Sequence, residues 1–115
     1  MIFTESLKKN YQFRFVYNRG KSIANKYLVM YVLKNGEDFN RLGLSVSKKV
    51  GISVVRSRVT RLIRESYRLS EENIKRGFDI VVIARNSCSG VSFECINKSL
   101  IHLIKKHKLQ QFQHK

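Results

Sequence analysis

Hydrophobic positions change period along this chain, and each period predicts an element. From Tyr27 to Leu33 the residues are almost all aromatic or aliphatic, which predicts a strand. Alternation puts Leu28, Met30 and Val32 on one face and Tyr27, Val29, Tyr31 and Leu33 on the other. From Arg41 to Ser47 the alternation is cleaner, with Leu42, Leu44 and Val46 inward and Gly43, Ser45 and Ser47 opposite. Between them Lys34-Asn35-Gly36-Glu37-Asp38 reads as a turn, because Asn-Gly accepts positive φ. The two strands are expected to pair as an antiparallel hairpin. Their outer face then sets tyrosines beside small polar residues, a shallow trough edged by stacking platforms. Phe78 to Ala84 is short and almost continuously apolar, which suits a strand buried on both faces.

Three segments carry the helical period. Ser53 is a suitable N-cap for a helix to about Arg68. At 100° per residue, Val55, Val59, Leu62, Ile63 and Leu69 share one side. Ser57, Thr60, Arg61, Arg64 and Arg68 share the other, flanked by Arg56 and Arg58. Ser92 can cap a last helix with Glu94 in its first turn; Ile96, Leu100, Ile101, Leu103 and Ile104 form its apolar face. Asn10 can cap a short helix to about Asn18, with Gly20 ending it in the left-handed conformation. There Phe13 and Tyr17 share one face and Tyr11 and Phe15 another, so this helix contacts more than one surface. A short extra strand is expected around Ser22–Ala24, and the first few residues and the last eight (KLQQFQHK) read as loose ends. The order predicts an α+β fold, a two-layer α/β sandwich with a mixed central sheet and three helices.

Composition narrows the class. The 115 residues are 43% hydrophobic and contain no proline, so a single domain spanning 1–115 with a real core is expected. The formal charge of +15 favours nucleic acid or an anionic membrane surface. Cys88 and Cys95 lack a CxxC spacing, Met1–Asn10 holds no long apolar run, and no window reaches the ~18 apolar residues of a membrane span. A cytoplasmic chain with reduced, free thiols is expected.

The charge is concentrated. Beyond the Arg41 strand, Lys48, Lys49, Arg56, Arg58, Arg61, Arg64 and Arg68 stand against one acid, Glu65. A solubilising helix face usually mixes signs; this one is one-sided. Arg56 and Arg58 also sit near the helix start, where the dipole disfavours a cation by roughly 0.3–1 kcal/mol and a bound anion would offset that. Arginine pairs bidentately with phosphate and stacks on bases. These features point to nucleic acid, and to single-stranded RNA in particular, since Phe13, Tyr17 and Tyr31 can supply stacking platforms beside the basic groove. A helix-turn-helix reader of duplex DNA needs a short helix before Ser53, where the pattern is a strand.

The segments LKKNYQFRFVYNRGKSIANKYLVMYVL, RLGLSVSKKVGISVVRSRVTRLIRESYR and GFDIVVIAR resemble, in the same order, the protein subunit of bacterial ribonuclease P. The resemblance covers nearly the whole chain. It implies a ribonucleoprotein that removes the 5′ leader of precursor tRNA, with the catalytic groups and Mg²⁺ held mainly by the RNA subunit and substrate. It further implies an α/β sandwich with a left-handed βαβ crossover. The family's RNR-type motif falls on Arg56, Ser57 and Arg58 and continues through Arg61, Arg64 and Arg68, preceded by Lys48 and Lys49. The leader-binding cleft falls on Phe13, Tyr17 and Tyr31. The implied partners are the ribonuclease P RNA and precursor tRNA, with no membrane and no small-molecule substrate. Ser57 stands where the family usually has Asn, Thr60 where it often has Lys, and Ile52 where it often has Asn.

Other readings are weaker on the residues. A protein nuclease needs convergent carboxylates, and the eight acids are scattered, with Glu65, Glu71 and Glu72 the nearest to a cluster. His102, His107 and His114 lack metal-ligand helix spacing and read as surface or boundary residues. A ribosomal-protein-like clamp on rRNA remains open on composition, and the aromatic trough separates it from a leader-binding protein. A membrane-surface helix requires the apolar face of the central helix to be free.

Overall fold

The apolar run Phe78–Ala84 becomes β5, the middle strand of a five-stranded sheet. In this computed structural model residues 1–111 are described. The elements are β1 (Thr4–Ser6), α1 (Asn10–Arg19), β2 (Lys21–Ala24), β3 (Leu28–Lys34), β4 (Asn40–Ser45), α2 (Ser53–Ser70), β5 (Phe78–Ala84) and α3 (Phe93–Lys106). Sheet order is β1-β4-β5-β3-β2. β5 runs antiparallel to β3 and parallel to β4, and β1 joins the edge parallel to β4. The parallel β4–α2–β5 unit is the crossover that the resemblance makes left-handed.

One expectation fails here. β3 and β4 do not pair as a hairpin; β5 lies between them. Ile80, Val81 and Val82 are apolar on consecutive, opposite-facing positions, so β5 needs cover on both faces and neighbours on both edges. The centre of the sheet supplies that, and the Asn35–Gly36 turn carries the chain across the gap rather than closing a hairpin.

Two apolar clusters form, one on each sheet face. Leu28, Met30, Val32, Ile80 and Val82 pack with Val59, Ile63 and Tyr67 of α2 and Ile96, Leu100 and Leu103 of α3. These layers make the sandwich. On the opposite face α1 lies over β3 and β5, with Val16, Leu7 and Val81 buried and Phe13, Tyr17 and Tyr31 partly so.

The caps and ends differ from the sequence pattern in detail. Asn10 and Ser53 are the first residues of their helices rather than the caps. At α1 the Gln12 side-chain oxygen instead accepts the Lys8 and Lys9 amides, each at 3.0 Å. Ser92 does cap α3, accepting from the Cys95 amide at 3.2 Å. Gly20 is extended (φ −79°), not left-handed. Its small size matters for another reason, since a β-carbon there would sit 2.6 Å from the Val16 carbonyl oxygen. Leu69 is exposed at the end of α2, and Tyr67 takes the buried place.

Nor are the described ends loose. β1 adds to the sheet, and Glu71 accepts the Ile2 and Phe3 amides at 2.7 and 3.1 Å. Leu109 is buried, its carbonyl accepts the Lys75 amide, and the Gln111 amide donates to Asn73. The rest of the terminal segment lies outside the described residues.

Candidate nucleic-acid interface

Small residues on β4 create the trough. A β-carbon on Gly43 would fall 2.6 Å from Phe13 Cε1 and 2.8 Å from Cζ, so the ring can lie on the strand only because glycine is there. Tyr17, one turn on, meets Tyr31 of β3 edge-on, with centroids 5.0 Å apart at 67°. Phe13 and Tyr17 are 6.4 Å apart. Burial pushes the Tyr17 phenol above its ordinary value, against a hydrogen bond with Ser45 that lowers it, so the group is a neutral hydroxyl at physiological pH. The three predicted aromatics therefore do come together. Phe13 and Tyr17 line an open cleft of about 600 Å³ with Lys8, Arg14, Leu44 and Ser45; Tyr31 packs against Tyr17 and is not part of that lining.

The two cleft cations, Lys8 and Arg14, are not among the residues that sequence reasoning selects. Arg14 is four residues after Asn10 and three before Tyr17, so helical spacing could have placed it on the cleft face. Lys8 precedes the helix, and no periodicity applies to it.

The basic set divides. Lys48 and Lys49 are exposed on a 3₁₀ turn between β4 and α2. Arg61 and Arg64 are exposed on α2 and, among the described residues, neither meets a carboxylate. Arg56 is half-buried, with Nε donating to the Gly51 carbonyl at 3.2 Å. Arg58 points the other way, donating to the Val91 carbonyl at 2.9 Å and tying α2 to the loop before α3. Arg68 is engaged bidentately by Glu65, at 3.0 and 2.6 Å. The Arg68 guanidinium holds that carboxyl below its usual range. Free cationic character thus concentrates on Lys48, Lys49, Arg61 and Arg64.

Ser57 is exposed, in a hollow shared with Ser53, Arg56, Thr60 and Arg64. The Thr60 hydroxyl donates to the Arg56 carbonyl at 2.9 Å. Hydroxyls and guanidinia at an uncapped helix start suit a phosphate oxygen rather than a cation.

The hollows join. Leu7, Lys8 and Leu44 line the aromatic cleft and also a second hollow that reaches Thr60 and Arg64, and those two line the hollow around Ser57. A concave path therefore runs from the Phe13–Tyr17 cleft to the free arginine face.

Three of the eight acids are committed within the fold, and Glu5 is exposed in the hollow that joins the cleft to Arg64. Glu65 holds Arg68, Glu71 holds the N-terminal amides, and Asp79 accepts from Arg41 at 2.9 Å. Among the described residues no three of His, Cys, Asp and Glu gather as metal ligands would. His102 lies beside Asn25, and His107 is held at the Met30 carbonyl at 2.9 Å; His114 lies outside the described residues. Cys88 and Cys95 are free thiols. Val55, Val59, Leu62 and Ile63 of α2 pack into the core, while Val54 and Leu69 stay exposed; no described helix is long and apolar enough to cross a membrane.

The model of the family "Ribonuclease P" matches residues 1–108. The ribonuclease P protein component of Lachnoclostridium phytofermentans is 58% identical over 106 residues, 92% of this chain and 91% of that protein. That of Alkaliphilus oremlandii is 54% identical over 103 residues, 90% of each. Among solved structures, the RNase P protein of Staphylococcus aureus superposes with TM-score 0.85 at 38% identity, covering 92% of this chain and 97% of that one. The RNase P protein from Thermotoga maritima gives 0.82 at 37%, covering 89% and 96%.

Proposed function

The chain belongs to the ribonuclease P protein family, and from that premise we propose that it binds the catalytic RNA subunit and the 5′ leader of precursor tRNA, assisting endonucleolytic removal of the leader in the cytoplasm. The leader lies in the cleft, its bases against Phe13, Tyr17 and Tyr31. Lys48, Lys49, Arg61 and Arg64 face phosphates of RNA, with Arg56, Ser57, Arg58 and Arg68 completing the basic helix. The protein contributes binding and orientation, and the reacting groups belong to the RNA. Mg²⁺ is held mainly by the RNA subunit and substrate, since the residues at Ser57 form a donor set for anions and, among the described residues, no three of His, Cys, Asp and Glu gather as metal ligands would.

One observation carries this reading, the unbroken path from the aromatic cleft to the free arginines of α2. A single strand leaving a base-stacking site would run directly onto phosphate-binding guanidinia. A clamp on folded rRNA has no need of that cleft.

Reconstitution tests it. Protein, cognate ribonuclease P RNA and a precursor tRNA are combined at low millimolar Mg²⁺ and the cut site is mapped. The expected result is cleavage at the mature 5′ end that is strong with RNA plus protein, weak with RNA alone and absent with protein alone. No stimulation, with tight binding to ribosomal RNA, would favour the rRNA clamp; cutting by protein alone would place chemistry in this chain.

A further inference from the structure

The other face of α1 is not used by the cleft, yet it carries two large exposed aromatics. Tyr11 is 64% exposed and Phe15 50%. They stand over a second groove of about 420 Å³, floored by Leu33 and walled by Lys34 and Arg41. The Arg19 guanidinium lies 4.5 Å from the Phe15 ring centroid, fixing that ring and placing a cation beside it. The acid in the groove, Asp79, is paired with Arg41 and accepts a hydrogen bond from the Asn35 side-chain amide at 3.0 Å.

The two grooves are connected around the start of α1. Lys8 lines both the first cleft and a hollow that also holds Lys9 and Gln12, and Gln12 lines the second groove. Two lysines, against the single acid Glu5, thus mark a path from one aromatic site to the other. We propose that the Tyr11–Phe15 groove is a second stacking site for the same RNA strand. It receives leader nucleotides farther from the cut, after the backbone has turned past Lys8 and Lys9. This rests on the first cleft being the leader site. Two exposed aromatics could instead join two copies of the chain, but a formal charge of +15 on each opposes that in the absence of RNA.

The test lengthens the leader one nucleotide at a time and measures affinity of the reconstituted holoenzyme for precursor tRNA. Wild type is expected to gain affinity in two separated steps. Tyr11→Ala with Phe15→Ala should abolish the second step, a loss of about five-fold or more, and leave the first intact. Tyr11→Phe with Phe15→Tyr should restore it, since stacking needs only the rings. Both side chains are exposed, and a urea melt checks that the double variant keeps its stability. A single step in wild type, or a second step that survives the double alanine variant, would overturn the distal site while leaving the first cleft in place. Protein-dependent gain at no leader length would overturn both. Dimerisation of the RNA-free protein that the alanine pair abolishes would reassign the groove to self-association.

Discussion

Phe13 rests on Gly43, with no room for even a methyl group between them: a β-carbon on Gly43 would lie 2.6 Å from the Phe13 ring edge and 3.2 Å from Leu7 Cβ. Gly43→Ala is therefore expected to tilt the ring out of the cleft. Overpacking should cost on the order of 1–3 kcal/mol of stability. Leader affinity should fall by about 1 kcal/mol or more, because the stacking surface is displaced. Titration of a fluorescent leader, with a urea melt on the same sample, separates the two effects. Normal leader affinity with Phe13 displaced would remove that ring from the binding site.

Tyr31 of β3 backs the same cleft through its edge-on contact with Tyr17. Tyr31→Ala is expected to cost on the order of 1–3 kcal/mol in leader affinity, and Tyr31→Phe far less. A loss of folding stability with unchanged leader affinity would assign Tyr31 to the core beneath α1 instead.

The arginines of α2 should not behave alike. Arg61 and Arg64 are free to meet phosphates, whereas Arg68 is held by Glu65. Replacing Arg61 and Arg64 with Ala should weaken RNA binding and reduce the slope of log K against log salt by roughly 0.7–0.9 for each phosphate that is no longer neutralised. Arg68→Ala should change the slope less. An unchanged slope in the Arg61, Arg64 variant would take both residues out of the phosphate interface.

Sequence pattern reveals elements here better than it reveals their neighbours. β5 is legible because a doubly buried strand must be apolar at successive positions, and Ile80, Val81 and Val82 are. The basic face of α2 and the Phe13–Tyr17 face of α1 follow from helical spacing alone. The pairing of β3 with β5 does not, because a local turn such as Asn35–Gly36 carries no record of which distant strand enters the gap. β1 spans only three residues, too few for a period to show. By spacing Arg58 is one more phosphate cation, and only the fold brings the Val91 carbonyl to it. Alternation predicts a trough between β3 and β4 as neighbours; the trough exists instead because α1 bridges the sheet above β5, with Gly43 leaving room for Phe13.

The N-terminal strand depends on a buried acid. Glu71 is 3% exposed and accepts the Ile2 and Phe3 amides, while Arg76 lies 3.6 Å from the Phe3 ring centroid. Burial alone would raise the Glu71 carboxyl. Hydrogen bonds from Thr4, Ile2 and Phe3 and the nearby N-terminal ammonium outweigh it and hold the carboxyl below its ordinary value. A depressed folded-state pKa stabilises the fold fully above the unfolded carboxyl value of about 4.3, and that contribution is lost as pH falls through the lower folded value. Glu71→Gln keeps one acceptor oxygen where two amides converge and leaves one donor unsatisfied, which should cost about 1–3 kcal/mol at neutral pH. The variant should also lose less stability than wild type between about pH 5 and pH 3. Urea melts across that range test the sign, and hydrogen exchange should show faster exchange confined to Ile2 through Ser6 at neutral pH. Parallel pH curves for the two proteins would mean that Glu71 does not anchor the strand through its charge.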